Sequence, residues 1–379
     1  MRNTHGRMIG DRPLPLRGVR VLDLSRVLAG PLCTMTLGDL GADVIKVERP
    51  DGGDETRGWG PPFDARGESA YFLSINRNKR SLTADLTDPD DISLLRSLVA
   101  TADVVVENFL PTSLSRKGLD AESLMRQSPG LVWCSIRGYP NDHNRPGYDF
   151  AVQAEAGWMS VTGEAAGTPV RTAVALIDVL AGKDATIAIL AALVGSRDGS
   201  IQDRTVTVTL GGSAVAALAN VAQNALVSGK EARRWGNSHA NLVPYQLFET
   251  ADRAMVIAVG SDGQWRALTL VLEAPALSGD PTLGTNAGRV INRDRCVGAV
   301  QAILRTRTAS EWKDRCERAG VPVGMVRTVL EALAEYDASA LTGVPSSVGG
   351  TVSRRPPLLG EHSDEIRRNG WGGGARRGV

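Results

Sequence analysis

The sequence predicts an α/β protein in which a doubly wound parallel sheet forms a large domain and a smaller α/β domain follows it. Three observations carry that expectation. Strand-like and helix-like segments alternate through the first half of the 379 residues, the connections between them are short, and the texture changes after about residue 212. Short connections between alternating segments favour right-handed parallel crossovers. The length also exceeds what one compact core usually holds, which argues for two domains.

The first strand is the apolar run Val19 to Leu24, followed by a Gly30-Pro31 turn that puts proline where a helix can start. That helix runs to about Leu40, and a second strand, Val44 to Glu48, follows at once. Ser81 to Leu86 reads as extended. Asp88-Pro89 reads as a helix cap with proline in the first turn, and helical periodicity from Ile92 to Val99 leads into a strand at Asp103 to Glu107. Leu131 to Ile136 adds a strand, a helix rich in Ala, Ile and Leu covers Val179 to Val194, and Thr205 to Leu210 alternates like a half-buried strand. In such a sheet the ligand crevice lies beyond the carboxyl ends of the strands. Those ends are the loops around Ser25 to Pro31, Glu48 to Asp54, Asn108 to Pro111 and Arg137 to Asp149. The expected division is a large-domain segment at 1–212, a connecting helix within 213–229 and a small domain at 230–330, with strands near Tyr245 to Glu249 and Met255 to Val259. Gly370 to Val379 is rich in Gly and Arg and is expected to be disordered.

Composition excludes several functions. Lys plus Arg number 43 against 42 Asp plus Glu, so a net charge of +1 offers no field for a nucleic acid or an anionic membrane. Cys33, Cys134, Cys296 and Cys316 are far apart and form no C-x-x-C pair, so they read as free thiols in a reducing compartment. The N-terminus lacks an apolar core of signal-peptide length and no stretch approaches a membrane span, which makes the cytoplasm the expected location. No phosphate-binding loop, dinucleotide fingerprint or G-x-S-x-G elbow is present, and His5, His143, His239 and His362 share no metal-ligand spacing.

What remains is locally ambiguous. The basic run Asn76-Arg77-Asn78-Lys79-Arg80-Ser81 reads either as a phosphate contact or as a solvated loop. Asp178 precedes an apolar helix and locally reads as its N-cap, while Gly147-Tyr148-Asp149 reads as a turn.

Several segments nevertheless stand together in a fixed order: VLDLSRVLAGPLCTMTLGDLGADVIKVERP at 21–50, NRNKRS at 76–81, ADVVVENF at 102–109, GYDFAVQAEAGWMSVTG at 147–163 and PPLLGEHSDE at 356–365. Through them the chain resembles the class III CoA-transferases, the family that includes formyl-CoA transferase and α-methylacyl-CoA racemase. The stretch KEARRWGNSHANLVPYQLFET at 230–250 is similar to the succinyl-CoA:glutarate branch of that family.

The resemblance implies a catalytic carboxylate at Asp178, within AVALIDVLAG, held ionised by the positive end of the helix dipole. It implies CoA contacts at Leu28, Ala29, Arg49, Ala84, Asp85, Leu86, Asn108, Phe109, Arg116, Gly147, Tyr148 and Asp149. It further implies an interlocked homodimer, with residues 331–379 returning to the large domain, and CoA and acyl-CoA as substrates with no metal and no permanently bound cofactor. Racemases of the family place His beside their Asp; the matching residue here is Tyr148, which favours CoA transfer over racemisation. Arg234 or His239 is expected to meet the distal carboxylate of a dicarboxylic acid. Between Glu331 and Pro356 the chain is shorter than family members usually are, which implies an altered return path and leaves, besides an acyl-CoA racemase or epimerase, a non-catalytic acyl-CoA-binding paralogue as an alternative reading.

Overall fold

The computed structural model describes residues 14–199, 201–336 and 342–372. The chain divides into two compact units. The first is built from described residues within 1–158, 171–230 and 342–372.

Its centre is a six-stranded sheet in which every pairing is parallel: β1 (Arg20–Asp23), β2 (Asp43–Glu48), β3 (Lys79–Thr83), β4 (Val104–Glu107), β5 (Val132–Arg137) and β6 (Thr205–Thr209), in the order β3-β2-β1-β4-β5-β6. The register sets Val21 opposite Val44 on one side and Val104 on the other. Nearly continuous apolar runs explain why these strands are central, since a parallel sheet covered on both faces must bury both sets of side chains. Val21, Val104, Val106, Val132 and Cys134 enter one core, and Leu22, Val105 and Trp133 enter the other.

Helices follow the strands in the expected alternation: α1 (Ala29–Asp39), α2 (Ala70–Ile75), α3 (Pro89–Val99), α4 (Pro111–Ser115), α5 (Ala121–Gln127), α6 (Asp149–Glu155), α7 (Trp158–Val161), α8 (Leu176–Asp198), α9 (Leu210–Ala216) and α10 (Ala219–Ser228). Asp88 caps α3 as its sequence indicates, accepting from Asp90 N–H. Three elements differ from expectation. Strand β3 begins at Lys79 instead of Ser81, because the charges of Lys79 and Arg80 are buried in ion pairs. Helix α8 begins at Leu176, ahead of Asp178. The expected connecting helix is two helices, α9 and α10, bent by 68° around a break where Ala219 takes a φ of 43°. Among the described residues no single helix is long and apolar enough to cross a membrane, although this bent pair passes by length and composition.

The second unit comprises residues 159–170 and 231–336. An antiparallel sheet, β7 (Tyr245–Glu249), β8 (Ala254–Ala258) and β9 (Val323–Met325), packs with α11 (Asp262–Val271), α12 (Pro275–Ser278), α13 (Asn286–Ile291), α14 (Arg293–Leu304) and α15 (Ala309–Arg318) around Phe248, Trp265, Val300 and Trp312. Helix α16 (Val329–Glu335) closes the unit, and Thr328 and Glu331 cap it reciprocally.

The chain is next described from Thr342, so the return path falls partly outside the described residues, as do the first 13 residues and most of the Gly-rich tail. The PPLLGEHSDE segment lies along the edge strand β3: Ser81 N–H donates to His362 Nδ1 and Thr83 N–H to Ser363 Oγ. Helix α17 (Ser363–Asn369) then buries Ile366 in the second core.

Candidate active site

The strand order reverses between β1 and β4, and in an open parallel sheet the crevice at that switch point receives the ligand. A cavity of about 290 Å³ opens there. The β1–α1 loop, the segment after β4, the end of β5 and the loop before α6 form its wall, and Asp178 reaches it from the first turn of α8. Two further cavities adjoin it through shared residues. One reaches Arg49, Ala84 and Leu86 by way of Arg26 and Phe109, and a wide one of about 1000 Å³ reaches Arg96, Arg116 and Lys117 by way of Leu110. The three share lining residues pairwise near the carboxyl ends of the strands.

Long-range contacts hold the site. The Asn108 side chain accepts from Arg26 N–H at 3.0 Å and donates to Arg26 C=O at 2.8 Å, which fixes the β1–α1 loop. The next residue, Val27, sits at a φ of 71°, a conformation that a β-branched residue adopts only when its surroundings impose it. Gly147 and Gly138 pass so closely that a Cβ on Gly147 would lie 2.3 Å from Gly138 Cα, so only glycine lets the loop before α6 cross the end of β5. One turn after Asp178, a Cβ on Gly182 would lie 2.6 Å from the Ala29 carbonyl, so this glycine allows α8 to pack directly against the start of α1.

Asp178 is half-buried in the first turn of α8, and the expected cap role falls elsewhere. The residue ahead of the helix is Ala175, which has no side chain to cap with. Asp149, 29 residues back, supplies the cap: its Oδ1 accepts from Ile177 N–H at 2.7 Å and Asp178 N–H at 3.2 Å. The charge on Asp178 also departs from expectation. Burial, with Asp149 adding to it, pushes its pKa up to about 7, so the helix dipole does not hold it in the ordinary carboxylate range.

One family, CoA-transferase family III, matches residues 16–363. The chain belongs to it. The succinyl-CoA:glutarate CoA-transferase of Mus musculus is 40% identical over 94% of this chain and 86% of its own length. The succinate–glutarate CoA-transferase of Agrobacterium fabrum is 41% identical over 94% of this chain and 96% of its own. Among solved structures, a CAIB/BAIF family protein from Brucella suis superposes with a TM-score of 0.82 at 38% identity, covering 94% of this chain and 99% of its own.

For a family III chain, the expected CoA contacts can be located one by one. Leu28, Ala29, Asn108, Phe109, Gly147 and Tyr148 line the central cavity with Asp178. Arg49, Ala84 and Leu86 line the second cavity, and Arg116 the wide one. Asp85 lines none of the three; it is exposed, and its carboxylate accepts from Thr87 N–H and Oγ1 to shape its own turn. Asp149 is buried behind the cavity wall as the cap of α8.

The NRNKRS run is neither a solvated loop nor an open phosphate site. Lys79 and Arg80 are buried and paired with Asp23 and Asp43, and Arg77 pairs with Asp39. In the second unit Arg234 donates to the carbonyls of Glu164, Ser160 and Gly167, while His239 Nδ1 accepts from Asn241 N–H.

Sequence reasoning missed Arg26 and Glu55. They form an ion pair at 2.8 Å in the central cavity, with the Arg26 guanidinium 5.1 Å from the centre of the Phe109 ring. Arg26 Nε and Glu55 Oε2 are buried without hydrogen-bond partners among the described residues. The signal available was position alone, since Arg26 lies in the first strand-end loop. No group of three or more His, Cys, Asp or Glu side chains suited to a metal occurs among the described residues.

Proposed function

We propose that this family III chain moves CoA from succinyl-CoA to a short dicarboxylic acid, with Asp178 as the nucleophile. The observation that carries the reading is the Asp178 carboxylate opening into the switch-point cavity between Phe109, Tyr148 and the β1–α1 loop. The donor and acceptor classes are supported by the names of the mouse and Agrobacterium relatives.

In this reading an Asp178 oxygen attacks the donor thioester carbonyl, the C–S bond breaks, and CoA thiolate leaves with the electron pair. The thiolate then attacks the Asp178 carbonyl carbon of the mixed anhydride, expelling the donor acid and leaving an aspartyl-CoA thioester. The acceptor carboxylate attacks that thioester, and the thiolate, released again, takes the acyl group from the second anhydride and frees Asp178. No water or net proton is consumed. Each step exchanges one activated acyl group for another, so the protein's work is to orient the partners, stabilise oxyanions and exclude water.

Neighbouring cavities at the strand ends suit an extended CoA thioester, with Arg49 and Arg116 as phosphate partners. For the distal carboxylate of the acid we favour His239 over Arg234. The Arg234 guanidinium is engaged by three carbonyls, whereas the bond to His239 Nδ1 leaves an Nε2–H to donate. Racemisation would need a second base opposite Asp178, and a phenol such as Tyr148 is a weak one at neutral pH. We also propose an interlocked homodimer in the cytoplasm; exposed apolar residues on α8 and α10, Ile187, Val194, Leu226 and Val227, support the dimer, and four buried free thiols support the compartment.

The test is incubation with succinyl-CoA and a panel of carboxylic acids, followed by mass spectrometry for new CoA thioesters and for an adduct on Asp178. Both are expected. Absence of both in the wild-type protein would sink the proposal, and deuterium uptake at the substrate α-carbon without CoA exchange would select racemisation.

A further inference from the structure

Asp149 and Gln153, one turn apart on α6, form a buried clamp on the approach to α8. Asp149 is 7% exposed and Gln153 not at all. Gln153 Nε2 donates to Asp149 Oδ2 at 2.6 Å, and its Oε1 accepts from Thr172 N–H at 2.9 Å, so the same side chain fixes the segment entering the helix. With Oδ1 taken by the first amides of α8, both Asp149 oxygens are used and the group sits at the root of the turn that carries Asp178. A neutral Asn or Ser would cap a helix about as well as Asp. A buried negative charge beside a second carboxylate is therefore more than capping requires.

We propose that Asp149 is a positioning residue for Asp178, which fixes the first turn of α8 and destabilises the negative charge on Asp178 so that acylation is favoured. The inference rests on Asp178 being the nucleophile. When Asp178 attacks the thioester, its negative charge leaves with the CoA thiolate as the C–S bond breaks. The repulsion from Asp149 is present before that step and absent after it, so it drives the step forward. A carboxylate made more basic in this way is also the stronger nucleophile once ionised.

The remaining charges around the central cavity are largely matched. Arg26 pairs with Glu55, Arg137 with Glu107 and Arg145 with Glu155. His143 and Tyr148 line the same cavity, and the Tyr71 phenol on α2 is near enough that Asp178 and Asp149 add to the upward push of burial on its pKa. Among the described residues, Asp149 is the charged group whose field adds to the effect of burial on Asp178.

The test uses the full chain labelled with 13C in its aspartate carboxyls, with Asp178→Asn to assign the signal, and follows the Asp178 titration without substrate. Wild type is expected to titrate near pH 7. In Asp149→Asn, which keeps an acceptor oxygen for the helix amides, the midpoint is expected to fall by about one pH unit or more. The share of enzyme trapped as thioester with succinyl-CoA is expected to fall about tenfold with it. If the Asn variant does not fold, Asp149→Ser serves in its place. An unchanged or raised midpoint in a folded variant overturns the proposal, since a purely structural cap would not move it. The titration needs no turnover, so failure of the wild type to form an adduct would count against the proposed function separately.

Discussion

Lys79 Nζ lies 3.0 Å from Asp23 Oδ2 beneath the β1–α1 loop, and neither side chain has any exposed surface. The ammonium also donates to Pro31 C=O and Asn76 Oδ1, so its three protons are all used. Asp23 accepts from Ser25 N–H and from the hydroxyls of Ser25 and Thr34. Lys46, joined to Asp54 at 2.9 Å and to Ser25 C=O, completes a buried network under the residues that form the cavity wall. Burial opposes charge on Asp23, but Lys79 and Lys46 with the two hydroxyls hold its pKa down to about 2.

Lys79→Met leaves Asp23 buried without its main partner and is expected to destabilise the chain by about 3 to 5 kcal/mol. Urea unfolding measures it. The loss reflects stability and not ligand contact, so the acyl-CoA KM of the folded fraction should change less than twofold, a bound of about 0.4 kcal/mol. Because the Asp23 pKa is depressed on folding, its contribution is present above the ordinary value of 3.8 and is lost as pH falls through about 2.

That network also shows where sequence reasoning stops. The sheet was legible because burial on both faces writes continuous apolar runs into the strands, and Asp88-Pro89 marks a cap that closes locally. The run from Arg77 to Arg80 reads in sequence as a phosphate contact or a solvated loop because its partners, Asp39, Asp23 and Asp43, are 37 to 56 residues away along the chain. The cap of α8 was hidden for the same reason, arriving from Asp149 on another helix. Gly182 could have been singled out: a glycine four residues after Asp178 in an otherwise good helix costs stability unless a close approach requires it.

Asn108 links the end of β4 to the loop that shapes the cavity. Asn108→Ala removes both bonds to Arg26 and lets Val27 relax from its φ of 71°. The expected result is a stability loss of about 1 to 2 kcal/mol and an acyl-CoA KM raised about tenfold. Steady-state kinetics at saturating acceptor should find kcat reduced less than KM is raised, because Asn108 acts on the loop and not on the reacting carbonyl.

As the proposed nucleophile Asp178 would have to be ionised to attack, and its raised pKa puts that requirement inside the accessible range. Transfer measured as kcat/KM is expected to rise tenfold per pH unit below about 7 and then level off. The stability effect has the opposite sign. A carboxyl whose folded pKa exceeds its unfolded value is stabilised while protonated, and that contribution is lost as pH rises from 3.8 through about 7. Asp178→Asn, expected to be inactive, is therefore also expected to be more stable than wild type by about 4 kcal/mol at pH 8 and equal to it at pH 3. Thermal denaturation at the two pH values tests this.

Arg234 and His239 both carry N–H groups that can donate to an acid's distal carboxylate, but their hydrogen bonds assign them different work. Arg234 gathers the carbonyls of Ser160, Glu164 and Gly167 and so ties residues 159–170 to the rest of the second unit. Removing it should strand three carbonyls, at an expected cost of about 2 kcal/mol, with little change in acceptor KM. His239 is braced by Asn241 N–H on Nδ1 and packs 5.2 Å from the Tyr245 ring, which aims its other nitrogen as a donor. His239→Ala is expected to raise acceptor KM about tenfold while donor kcat/KM stays within twofold, the pattern of a lost ground-state contact to one substrate. His239→Gln, which retains an N–H donor, should recover part of that loss. An acceptor KM that responds to Arg234→Ala and ignores His239→Ala would reverse the assignment, because it would mean the guanidinium leaves its three carbonyls when the acid binds.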